Sequence, residues 1–120
     1  MTHAQVVAYA RAVAAASDRV TLQQYGRTHA GRPLLLLTIT SLENRKRRKQ
    51  IRASHRQLTK ANASKVDAEN LPAVINMGYG VHGDEPSATN CSPLVLHYLA
   101  AAKGEEQQGQ DYAGSEREFA

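Results

Sequence analysis

Apolar residues recur at helical spacing near the start of the chain. Val6, Ala10 and Val13 fall on one helical face within an Ala-rich run. Thr2 and Gln5 stand at capping-box spacing ahead of it, so a helix should begin at Thr2 and end near Ser17-Asp18. The period then shortens to two. Val20, Leu22 and Gln24 alternate with polar positions and predict a strand over about 20–27. Thr28 to Arg32 reads as a turn in which Gly31 can take positive φ. Pro33 to Thr40 is a nearly continuous apolar run, which suits a strand buried on both faces. Two strands joined by a short turn give an antiparallel hairpin.

The second half is less regular. Glu43 to about Leu58 is polar, basic and helix-compatible, and Ala61 to Leu71 is loop-like. Pro72 opens Ala73-Val74-Ile75-Asn76-Met77, a second buried-strand candidate, and Gly78, Gly80 and Gly83 follow at once. Leu94, Val95, Leu96, Tyr98 and Leu99 predict a buried helix, with Gly104 where its C-terminal cap is expected. Pro93 inside a regular helix would cost about 3 kcal/mol. The helix is therefore expected to start late, capped by Asn90 or Ser92, after an irregular or kinked stretch between Pro86 and Pro93. Residues 105–120 show no clear period and predict a loose acidic tail. No internal repeat is visible.

Composition narrows this picture. The chain has 120 residues, 42% of them hydrophobic, so a core is feasible and would be built mainly of Ala, Leu and Val. That length fits one small domain or part of a larger one. The net charge of +4 hides two opposite regions. Arg45, Lys46, Arg47, Arg48, Lys49, Arg52, Arg56 and Lys60 form a block without an acid, whereas Glu105, Glu106, Asp111, Glu116 and Glu118 dominate the tail. Cys91 is the only cysteine, which excludes an intrachain disulfide and a cysteine-based zinc knuckle. No apolar run is long enough to span a bilayer, and the first helix, broken by Arg11 and Arg19, does not read as a signal peptide.

The candidate chemistry lies in Val81-His82-Gly83-Asp84-Glu85-Pro86-Ser87, just after the Ala73–Met77 segment. In open α/β sheets, ligands bind beyond the carboxyl ends of strands. His82 and Glu85 are three residues apart, so one helical turn would put both side chains on one side. An imidazole nitrogen and a carboxylate can then converge on one metal, and zinc accepts both donor types. Taken alone, H-x-x-E is equally well two ordinary loop residues. The strand before it and the glycines around it favour a site.

The segment Met77-Gly78-Tyr79-Gly80-Val81-His82-Gly83-Asp84-Glu85-Pro86-Ser87 resembles the first zinc-binding segment of the carboxypeptidase A-like metallopeptidases, which commonly carry H-G-x-E-P there. Upstream, Tyr25-Gly26-Arg27-Thr28-His29-Ala30-Gly31-Arg32-Pro33-Leu34 resembles the G-R-P-L run of the family's early hairpin. The likeness spans about residues 2–104. It implies an α/β fold: the N-terminal part of a mixed-sheet, phosphorylase/hydrolase-like zinc carboxypeptidase domain, incomplete here. It implies one Zn2+ ion with His82 and Glu85 as two of three protein ligands. Asp84 fills the family's variable position, where it either orients a ligand or is solvated.

The resemblance also places the third ligand, a His, and the general-base Glu well downstream of the H-x-x-E segment, together with the Arg and Asn residues that bind the substrate carboxylate. Nothing between Pro86 and Ala120 resembles those motifs. His97, the one downstream His, sits mid-helix, where it packs or faces solvent. No catalytic residue is therefore expected within this chain, which should not hydrolyse peptides alone. The complete domain would act on peptide or protein C-termini, with no membrane partner. Many members of the family are secreted or periplasmic, but nothing in this sequence marks export.

Three other readings compete, one of them a catalytically dead binding or interaction fragment that keeps the fold's opening elements. Aspartoacylase-like zinc deacylases also carry H-G-x-E after a buried strand, although the G-R-P-L hairpin favours the carboxypeptidase branch. The Arg45–Lys60 block could lie along a nucleic-acid backbone. It lacks interleaved aromatics, so a solvated basic helix is preferred. His3, His29 and His55 carry no site expectation, and Cys91 is expected to be a small buried residue.

Overall fold

The computed structural model describes residues 1–60 and 66–101. It is a mixed α/β arrangement built from helix α1 (His3–Ala16), strands β1 (Val20–Arg27) and β2 (Pro33–Ile39), and helices α2 (Leu42–Lys46), α3 (Arg48–Leu58) and α4 (Pro86–Ala101). The capping box forms as the sequence predicts. Thr2 Oγ1 accepts from the Gln5 amide at 3.3 Å, and the Thr2 amide donates to Gln5 Oε1 at 2.7 Å. Two of the amides left without partners in the first turn are thereby satisfied. The helix stops at Ser17, whose backbone is extended.

β1 and β2 form a two-stranded antiparallel sheet. Gly31 takes φ 75 in the turn, with no heavy atom within 4 Å of an added Cβ, so its role there is conformational. The Gly31 amide donates to the Thr28 carbonyl at 2.9 Å, and the Thr28 amide donates to the Arg32 carbonyl at 2.8 Å. The register slips between Gln24 and Gly26. Tyr25 is the extra residue of this β-bulge and is largely exposed.

Burial follows one face of the sheet. Val20 pairs with Ile39 and Leu22 with Leu37, and Val20 is 3% exposed where α1 packs on β1. Ala10, on the α1 face read from the sequence, is also fully buried. Leu36, opposite Gln23 on the other face, is 49% exposed. β2 is therefore half-covered and not buried on both faces. Among the described residues, no layer packs against its second side.

The basic segment is not one helix. Ser41 caps α2 by accepting from the Asn44 amide at 3.2 Å. The chain breaks at Arg47 (φ −99, ψ 16), where the guanidinium turns back to donate to Asn44 Oδ1 at 3.1 and 3.2 Å. His55 acquires a part the sequence did not indicate. Its Nε2 lies 2.8 Å from the Pro72 carbonyl and ties α3 to the chain leading into the glycine-rich stretch. Just before Pro72, Asp67 accepts from the Asn70 side chain at 2.7 Å, which holds its carboxyl below the ordinary range.

Residues 73–77 do not form the expected strand. They run without regular structure, with Val74 72%, Ile75 81% and Met77 55% exposed. A strand exists only through partners, and among the described residues no neighbour supplies a ladder.

α4 also departs from expectation. It begins at Pro86, not at Asn90 or Ser92, and continues through Pro93. Proline suits the first helical position, where its missing N–H has no intrahelical partner to lose. Pro93 leaves the Thr89 carbonyl without its usual donor, and the Ser92 hydroxyl supplies one at 2.8 Å. Only one face of α4 is covered: Pro93 is buried, while Leu94 and Tyr98 stand open. Cys91 is exposed, contrary to the buried position expected of it. Gly104 and the 105–120 tail lie outside the described residues.

Two outcomes are expected. In hydrogen exchange, the amides of β1 and β2 should be protected while those of 73–81 exchange at near-unprotected rates; comparable protection in 73–77 would mean that the segment is paired. Ser92→Ala should destabilise the chain by about 1–3 kcal/mol in denaturant titration, the cost of a partly buried carbonyl left unsatisfied. No change would show that Thr89 has another donor.

Candidate metal centre

The site is a turn between an extended approach and a helix. The Glu85 amide donates to the His82 carbonyl at 3.4 Å, closing His82-Gly83-Asp84-Glu85 as a single turn outside any helix. Pro86 then starts α4. The residue before a proline is pushed away from helical backbone angles, so Glu85 stays outside the helix. The approach is set by Gly80, whose φ is 70.

This turn brings the two sequence-predicted donors together. His82 Nδ1 lies 2.9 Å from Glu85 Oε2. Their side chains are 66% and 63% exposed. An exposed pair of this kind contributes about 0–1 kcal/mol at most, so fold stability does not account for the arrangement. Asp84 is exposed on the same turn and makes no hydrogen bond to either donor among the described residues. His97 is exposed on α4, as expected of a residue facing solvent. Among the described residues, no group of three or more His, Cys, Asp or Glu is gathered as a metal would require.

Chemically, the pair offers one imidazole nitrogen and one carboxylate oxygen to the same point in space. Two ligands of a tetrahedral zinc ion, each bound at about 2.0–2.1 Å, stand about 3.3 Å apart. At 2.9 Å the two atoms stand at hydrogen-bond distance, closer than that, while the donor types, an imidazole and a carboxylate, are ones zinc accepts.

The basic residues gather elsewhere. Lys49, Arg52 and Arg56 line one open face of α3, with Lys60 just beyond its end. Arg47 reaches Glu43 at 3.9 Å, and the Arg45 guanidinium donates to the Asp18 carbonyl. Among the described residues, no helix is long and apolar enough to cross a membrane.

No significant match to a curated protein or to a solved structure was found. The sequence profile of the zinc carboxypeptidase family matches residues 6–115, which includes the hairpin, the His82–Glu85 turn and α4. With that match running over most of its length, the chain belongs to the zinc carboxypeptidase family, whose members are zinc-dependent peptidases.

Proposed function

We propose that this chain supplies the first half of a metallocarboxypeptidase active site, with His82 and Glu85 holding one zinc ion. The observation that carries the reading is the 2.9 Å approach of His82 Nδ1 to Glu85 Oε2 on a turn where it adds little to stability. Zinc bound there would lower the pKa of a water and polarise the carbonyl of a C-terminal peptide bond. The complete domain would act on peptide or protein C-termini.

The rest of the machinery lies outside the described residues on this reading. Glu85 cannot serve as general base while its carboxylate holds the metal. His97, exposed on α4, is not gathered with His82 and Glu85, so the third ligand comes from elsewhere. Asp84, exposed beside the pair, makes no hydrogen bond to either donor among the described residues and is the candidate to orient one of them when metal is bound. The two-stranded sheet and its helices correspond to the opening of a larger mixed-sheet, phosphorylase/hydrolase-like domain. The backbone of 73–81, without a ladder among the described residues, and the open face around Leu36 are surfaces that such a domain would cover.

Two experiments test this. In calorimetric titration with zinc, the chain should bind with an affinity at least a hundredfold above that of a His82→Ala, Glu85→Ala double variant. Equal binding would place the metal elsewhere. With a peptide substrate, the pure chain should release no C-terminal residue beyond the blank. Release that a chelator abolishes would contradict the assignment of the missing groups.

A further inference from the structure

We infer that Gly80 and Thr89 are positioning residues that register the His82 and Glu85 side chains against each other; this rests on the metal reading of that pair. Gly80 takes φ 70, a conformation that L side chains rarely adopt, two residues before His82. It also lies so close to α4 that a Cβ there would meet Thr89 Oγ1 at 3.0 Å. The two demands are independent: one concerns the backbone angle, the other the space beside it.

The contact closes a loop at its base. One arm of the loop ends at His82, and the other runs back from Thr89 through Pro86 to Glu85. Both donors therefore hang from a turn whose two ends lie side by side, with no room for a side chain between Gly80 and Thr89. Thr89 is itself well held. It is half-buried on α4, and its carbonyl accepts from the Ser92 hydroxyl at 2.8 Å one residue before the buried Pro93. A side chain at position 80 would have to move the loop or the Thr89 hydroxyl by a few tenths of an ångström, besides straining the backbone at φ 70. The shift would pass to His82, because exposed donors have no packing of their own to hold them.

The neighbouring glycine provides a control. Gly78 has no positive φ, and nothing lies within 4 Å of an added Cβ. The test compares Gly80→Ala, Gly78→Ala and Thr89→Leu in the full chain, with helix content checked by circular dichroism. Thr89→Leu crowds the same contact from the helix side without touching the Gly80 backbone angle. The readouts are zinc affinity by calorimetry and the imidazole 15N signals of His82 in the zinc-free chain, which report whether Nδ1 is hydrogen-bonded.

Gly80→Ala and Thr89→Leu should each weaken zinc binding about tenfold or more and shift the His82 Nδ1 signal toward that of a free imidazole, while Gly78→Ala matches the parent. Gly80→Ala and Thr89→Leu behaving like Gly78→Ala in both readouts would overturn the inference. Should the parent itself bind no zinc, the metal reading falls, and the Nδ1 signal alone decides whether the contact positions the pair.

Discussion

Pro86 fixes where extended chain stops and helix begins, and the geometry of the site follows from that junction. A proline at the first helical position costs no hydrogen bond, and it denies helical angles to the residue before it. Glu85 is therefore left on a turn with its carboxylate free to reach back across Gly83 and Asp84 to His82. Had the helix begun one turn earlier, both donors would have sat on a regular helical surface. The pair thus sits on a turn and not on a helix, after an approach in which Gly80 takes φ 70.

The stretch ahead of this junction has the opposite character. Residues 73–81 carry exposed apolar side chains, and among the described residues their backbone groups form no ladder. Buried amides and carbonyls need partners, and exposed apolar strands invite them. On the proposed reading, this segment and the uncovered side of β2 mark where further chain joins the sheet. The site thus sits at the boundary between a hairpin with helix packing of its own and a stretch whose packing is unmet. Ala10, Val20 and Pro93 are the buried residues among those described, which leaves the described part with little core.

Features decided by local chemistry were legible in the sequence. The capping box needs only Thr2 and Gln5, the hairpin needs only a turn with Gly31, and the donor pair needs only a three-residue spacing before a proline. Features decided by neighbours were not. Ala73–Met77 has the composition of a buried strand but no ladder here. Cys91 looks like a core residue yet faces outward. Pro93 reads as a helix breaker, and Ser92 offsets it through a hydroxyl whose direction no pattern reveals. The link from His55 to Pro72 joins residues far apart in the chain, and no local signal foretells it. Gly80 stood out only as one of several glycines; its φ and its closeness to Thr89 separate it from Gly78 and Gly83.

The most direct measurement on the central claim is zinc X-ray absorption on the chain loaded with one equivalent of the metal. The account predicts one imidazole nitrogen among oxygen ligands and no sulfur, with the imidazole contribution lost in His82→Ala. Two or more imidazoles per zinc, or a spectrum unchanged by that substitution, would contradict it.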